Sequence, residues 1–302
     1  MTSTALSELS IFKSEAGSQL FADYYEKLMT YWPSPYETME IKTEFGLCHV
    51  IVCGPKEGKP VLMFHGMTSN SAFWYPTIEA LTDFRVYCID TPGDFGKSKV
   101  FKCIRTPEDA VLWMDQLLDG LGLAKSIFIG HSMGGWLCSN YATARPERIE
   151  RLVLLAPVAT FLPIPFLKLL QKVYPAMLWP RPDRIRRAWD WFCMKGFSLP
   201  SHVMDLVIAA YTHGRSQLPV VPRVIHKEAW SRLSAPVLFL VGDEEKIYKA
   251  NKVMERVKET LHDSEAIMIS GAGHCLIIEQ KSAVNEAIRG FITQKRKFQS
   301  KR

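Results

Sequence analysis

The spacing of hydrophobic residues changes three times along this chain. In the first 36 residues, Phe21, Tyr24, Tyr25, Leu28 and Met29 recur at intervals of three and four, which predicts a helical lead-in broken by "YWPSPYE". Two extended runs follow on either side of Gly46, "TMEIKTEF" and "LCHVIVCG", and predict a β-hairpin. Beyond them, short continuous apolar runs alternate with helix-like stretches. The runs are "VLMFHG" from 61, "FRVYCID" from 84, "SIFIGHS" from 126, "RLVLLAP" from 151, "PVLFLVGD" from 236 and "AIMISGAGH" from 266. Unbroken Val/Ile/Leu/Phe runs of this length predict strands covered by helices on both faces, since a strand with one wet face would alternate. With the hairpin, the pattern gives an α/β fold with about eight strands in a mostly parallel sheet.

The rhythm breaks once more. Between "LLAP" and "APVLFLVG" lie about 75 residues, too many for one crossover. They include "FLKLLQKVY", "PDRIRRAWDWFCMKGF" and "SHVMDLVIAAYTHG", whose apolar residues return to helical spacing. The expected organisation is a lead-in over 1–36, a core over 37–157 and 232–294, a cap of three or four helices over 158–231, and a basic tail over 295–302.

Composition narrows the function classes. A chain of 302 residues with 47% hydrophobic content can build one large core. The formal charge of +6 hints at nucleic acid or a membrane until it is located. Lys295, Arg296, Lys297, Lys301 and Arg302 supply five of those charges, so the body is nearly neutral and no nucleic-acid partner is expected. Seven scattered cysteines without a CxxC pair read as reduced core thiols, neither a disulfide framework nor a zinc site. No apolar stretch suits a signal peptide or a membrane span, and a cytoplasmic location is expected. The pattern specifies no oligomeric state.

The candidate chemistry begins at "GHSMGGW", residues 130–136. Ser132 lies where a predicted strand gives way to a predicted helix. A turn that sharp strains the serine backbone, and Gly130 and Gly134, on either side of His131 and Ser132, remove side chains that would collide. A serine so placed needs a base, and the base needs an orienting acid; both should follow later strands, the acid first. His274, in "GAGHCLIIE", is the histidine that follows the last strand behind glycines. The acid comes from "VGDEEKIY", where Asp243, Glu244 and Glu245 compete; the segment from Arg151 to Pro182 contains no carboxylate at all. Developing oxyanion charge requires two backbone N–H groups. Met133 of the elbow offers one and Met67, in "FHGMTSN", the other.

Taken together, "FHGMTS", "DTPGDFGKS", "GHSMGGW", "VGDEEKIY" and "GAGH", in that order, resemble the α/β-hydrolase superfamily from about residue 38 to 292. The whole chain, "YWPSPYE" included, resembles the bacterial carboxylesterase-like members with a helical cap. The resemblance implies an α/β-hydrolase fold and a triad of Ser132, His274 and Glu245, the acid lying third after the glycine. It also implies oxyanion donors at Met67 and Met133 and hydrolysis of a small hydrophobic ester through an acyl-enzyme, with no metal or organic cofactor. Relatives with an aspartate or cysteine nucleophile are excluded by Ser132, and His131 before the nucleophile fits the esterase pattern. Carbon–carbon bond hydrolysis, haloperoxidase-like activity and a non-catalytic sensor on the same fold stand as alternatives. Phe161, Phe166, Tyr174, Met177, Trp179, Trp189, Trp191 and Phe192 make the cap aromatic-rich and suggest an apolar pocket.

Overall fold

The structure, a computed structural model, describes residues 7–261 and 263–294; the basic tail expected at 295–302 lies outside them. In chain order its strands are β1 (Tyr36–Thr43), β2 (Gly46–Cys53), β3 (Pro60–Phe64), β4 (Arg85–Ile89), β5 (Lys99–Val100), β6 (Ser126–His131), β7 (Ile149–Leu155), β8 (Val237–Gly242) and β9 (Ser264–Ile269). They pair in the order β1-β2-β4-β3-β6-β7-β8-β9, with the two-residue β5 attached to β2. The hairpin β1–β2 is antiparallel and joins β4 antiparallel, while β3, β4 and β6 to β9 run parallel. All six apolar runs are strands, and the short β5 ladder is the addition the spacing did not reveal.

The helices are α1 (Glu15–Met29), α2 (Tyr75–Ile78), α3 (Pro107–Gly120), α4 (Met133–Ala144), α5 (Phe166–Lys172), α6 (Tyr174–Leu178), α7 (Pro182–Phe192), α8 (Ser201–His213), α9 (Lys227–Trp230), α10 (Ala250–Thr260), α11 (Leu276–Glu279) and α12 (Lys281–Thr293). Thr106 starts α3 with a reciprocal capping box, its hydroxyl accepting from Asp109 N–H and the Asp109 carboxylate from Thr106 N–H. Among the described residues no helix is long and apolar enough to cross a membrane.

Alternate residues of the central strands feed two separate cores. On β6 and β7, Ile127, Ile129, Val153 and Leu155 enter the core shared with α1, α7, α8 and α12. Phe128, Leu152 and Leu154 enter the one shared with α3, α4 and α10. The interior strand β8, next to the edge, is buried throughout. The strand β9, at the edge of the sheet, differs from its unbroken apolar spelling: Ile267 and Met268 remain over a third exposed. All seven cysteines are free and buried.

The lead-in folds onto its own chain. Phe21, Tyr25, Leu28 and Met29 of α1 are buried, and Gly17 allows α1 to approach α8 so closely that a β-carbon there would stand 2.7 Å from that of His213. Helices α5 to α9 occupy the stretch between β7 and β8, where the spacing predicted three or four. Pro175 ends the α5 pattern early, since it cannot supply the next helical N–H, and α6 starts afresh around it.

Candidate active site

The chain leaves β3 for β4 on one side and later returns to β6 on the other, so the crevice beyond β3 and β6 is the switch point of the sheet. Register then places two loops side by side: Phe64 pairs with Gly130, and the segments that follow are His65–Met67 and His131–Met133. Their closeness demands glycine. A β-carbon on Gly134 would lie 2.0 Å from the Phe64 carbonyl oxygen, and one on Gly130 2.4 Å from that of Gly134. Between these glycines Ser132 has φ 52° and ψ −115°, a left-handed strain that costs a non-glycine residue about 1–3 kcal/mol. Hydrogen bonds hold it there: Ser132 N–H donates to Leu155 O at 2.9 Å, and Ser132 O accepts from Trp136 and Val158 N–H.

The strained turn aims Ser132 Oγ at His274, whose Nε2 lies 2.8 Å away. On its other side His274 Nδ1 lies 2.8 Å from Glu245 Oε2. An ionised carboxylate only accepts, so Nδ1 carries the proton and Nε2 presents a lone pair to the serine hydroxyl. Glu245 Oε1 accepts from Ile247 N–H at 2.8 Å, and all three residues are buried.

The neighbouring carboxylates turn elsewhere. Asp243 Oδ1 accepts from Gly271 and Ala272 N–H at 2.9 and 3.3 Å, shaping the turn before His274. Glu244 reaches Lys195 N–H at 2.9 Å, beyond the end of α7.

Three contacts around this line escaped the sequence reading. His131 Nε2–H donates to the His274 carbonyl at 2.8 Å, linking the residue before Ser132 to the backbone of His274. Burial, with His274 facing it, pushes the His131 imidazole down to about 3, so the ring is neutral. Glu279 on α11 accepts from Gly273 N–H at 2.9 Å and from Met194 N–H, while His274 N–H donates to Phe192 O at 2.7 Å. The His274 loop is thereby fastened to the end of α7.

Asp94 is the third. Fully buried, it holds Thr68 N–H with both oxygens, at 3.0 and 2.9 Å, and Phe95 N–H at 2.9 Å. Thr68 has φ 62°, and its Oγ1 lies 3.0 Å from the Tyr211 hydroxyl of α8. Burial raises the Asp94 carboxyl to about 6. The sole signal in the sequence was a carboxylate inside "DTPGDFGKS", with nothing to say where it pointed.

A cavity of about 720 Å³ opens above Ser132. Met67, Ser132, Met133 and His274 all line it, so both candidate N–H donors border the same space as the serine and the imidazole. Met133 is the first residue of α4, and helix geometry leaves its N–H without an intrahelical partner. Of the aromatic residues expected in a cap, Phe166, Tyr174, Trp189 and Phe192 reach the lining; Phe161, Trp179 and Trp191 do not, the first being packed against Trp230 and Phe239 in the core.

A nucleophile-elbow geometry on a parallel sheet with this strand order defines a class, and the comparison with known proteins agrees: residues 59–281 match the alpha/beta hydrolase fold family, to which this chain belongs. Among individual proteins it is similar to the uncharacterized carboxylesterase nap of Bacillus subtilis (strain 168), 31% identical over 92% of this chain and 93% of that one. It is also similar to carboxylesterase YbfK of the same strain, 29% identical over 90% and 93%. The crystal structure of naproxen esterase (carboxylesterase NP) from B. subtilis superposes with a TM-score of 0.87 at 28% identity, covering 93% of this chain and all of the other.

Proposed function

We propose that the protein is a carboxylesterase acting through an acyl-enzyme on Ser132. The observation that carries the reading is the continuous line Glu245–His274–Ser132, with 2.8 Å at both joints, under one apolar cavity. Similarity to carboxylesterases over the length of the chain supports it.

In this reading Ser132 Oγ attacks the ester carbonyl as its proton passes to His274 Nε2. Glu245 keeps the imidazole in the required tautomer and stabilises the imidazolium. The carbonyl oxygen, now negative, receives the N–H groups of Met67 and Met133, each worth about 2.7–4 kcal/mol to the transition state. His274 returns the proton to the leaving alcohol, and water cleaves the acyl-enzyme by the same route. The positive end of α4 lies under the same oxygen. The cap over residues 158–231 selects the substrate, and the apolar lining favours esters with bulky hydrocarbon groups over small polar ones.

Intact-mass detection of a fluorophosphonate adduct tests this without knowledge of the natural ester. A single adduct is expected on the wild type, mapped to Ser132 and absent from Ser132→Ala and His274→Ala. A folded wild-type protein that takes up no probe would overturn the reading.

A further inference from the structure

The cap has an outer face as well as a lining. Five large apolar side chains in the described structure are more than half exposed, namely Phe166, Leu167, Leu178, Trp179 and Val221, and all five belong to the segment between β7 and β8. Four sit within α5, α6 and the residue after α6. Helix α5 buries none of its residues, and α6 only Ala176. Phe166 and Val221 also line the cavity, as does Met177, so the exposed face and the cavity mouth are continuous.

Charge is concentrated at the same place. From residue 163 to 191 the chain carries Lys168, Lys172, Arg181, Arg184, Arg186 and Arg187 against Asp183 and Asp190, although residues 1–294 as a whole are nearly neutral. Asp183 already pairs with Arg181 and Arg187. On α5 the apolar residues Phe166, Leu167, Leu169 and Leu170 fall on one arc, and Lys168 and Lys172 together on the other side. Lys168 is turned inward, its Nζ donating to Lys246 O and lying over Trp191, whereas Lys172 is exposed. Exposed leucines beside Lys172 and the arginines of α7 suit an anionic lipid–water interface, where the leucines enter the acyl boundary and the long cationic side chains reach the headgroups.

We propose that the α5–α6 face of the cap docks on an anionic lipid surface and turns the cavity mouth toward it. A lipophilic ester would then pass from lipid to cavity without crossing water. That delivery rests on the carboxylesterase reading; the docking does not.

The test is sedimentation of the full-length protein with vesicles of phosphatidylcholine containing phosphatidylglycerol, beside vesicles of phosphatidylcholine alone. The Leu167→Ser, Leu178→Ser double variant, altered outside the cavity lining and with the basic C-terminus intact, is compared throughout. Docking predicts wild-type binding that requires the anionic lipid, weakens in 0.5 M salt, and falls at least tenfold in the double variant. The same variant should cleave a short water-soluble ester at the wild-type rate. Absence of binding, or equal binding by the variant, overturns the proposal, the latter assigning any attraction to the basic tail. Indifference to anionic lipid also overturns it. So does a dimer, seen by light scattering, that the double variant dissociates, because a second copy would then cover this face. Loss of esterase activity in the wild type with vesicle binding retained would sink the functional reading alone.

Discussion

Asp243, Glu244 and Glu245 are neighbours with three different partners: a turn, the segment that follows α7, and His274. Glu245→Gln is expected to lower kcat about 10³- to 10⁴-fold, because the amide can impose the wrong imidazole tautomer while leaving the fold intact. Asp243→Asn should cost about 1 kcal/mol of stability and less than tenfold in kcat, measured on a chromogenic ester and by denaturant unfolding. A pH experiment separates two other buried groups. Asp94, raised to about 6 in the folded state, keeps a proton between pH 4 and 6 that the unfolded chain releases. Its contribution to stability therefore falls as pH rises through that window. His131, lowered to about 3, works the other way: the unfolded chain binds the extra proton below pH 6.5, so acid destabilises. Asp94→Asn removes the opposing slope, and the loss of stability on going from pH 6 to pH 4 should become steeper. Equal slopes in the two proteins would refute the assignment.

At the scale of an element, the turn from β6 into α4 is the most constrained piece of backbone. Gly134→Ala would drive a methyl group into the Phe64 carbonyl and is expected to destabilise by about 3 kcal/mol or more in thermal or denaturant unfolding. Ser132→Gly and Ser132→Ala should both be inactive, but the glycine variant should be the more stable by about 1 kcal/mol, since it alone adopts φ 52° without strain. Much of this element was legible beforehand. The strand-to-helix change around Ser132 and the glycines beside it announce a tight turn. The order of carboxylate then histidine follows from the order of the strands. Choosing among the three carboxylates from the residues alone was not possible, because a side chain's direction depends on backbone that a distant strand fixes. The bond from His131 to the His274 carbonyl was hidden for the same reason: 143 residues separate its ends.

For the whole molecule, alternation of apolar runs specified the sheet, and the long gap between two of them marked the stretch that holds α5 to α9; the spacing could not reveal how that stretch attaches. It is joined to the core at the site itself. Tyr211 of α8 meets Thr68, Phe192 at the end of α7 receives the N–H of His274, and Glu279 ties Gly273 to Met194. His274 is thus held from above as well as from the sheet. Heating that loosens α7 disturbs the alignment of His274 with Ser132 while the sheet and the core shared with α3, α4 and α10 are still intact. Catalytic failure should accordingly run ahead of melting, with a fall in initial rate, recovered on cooling, several degrees before the calorimetric transition.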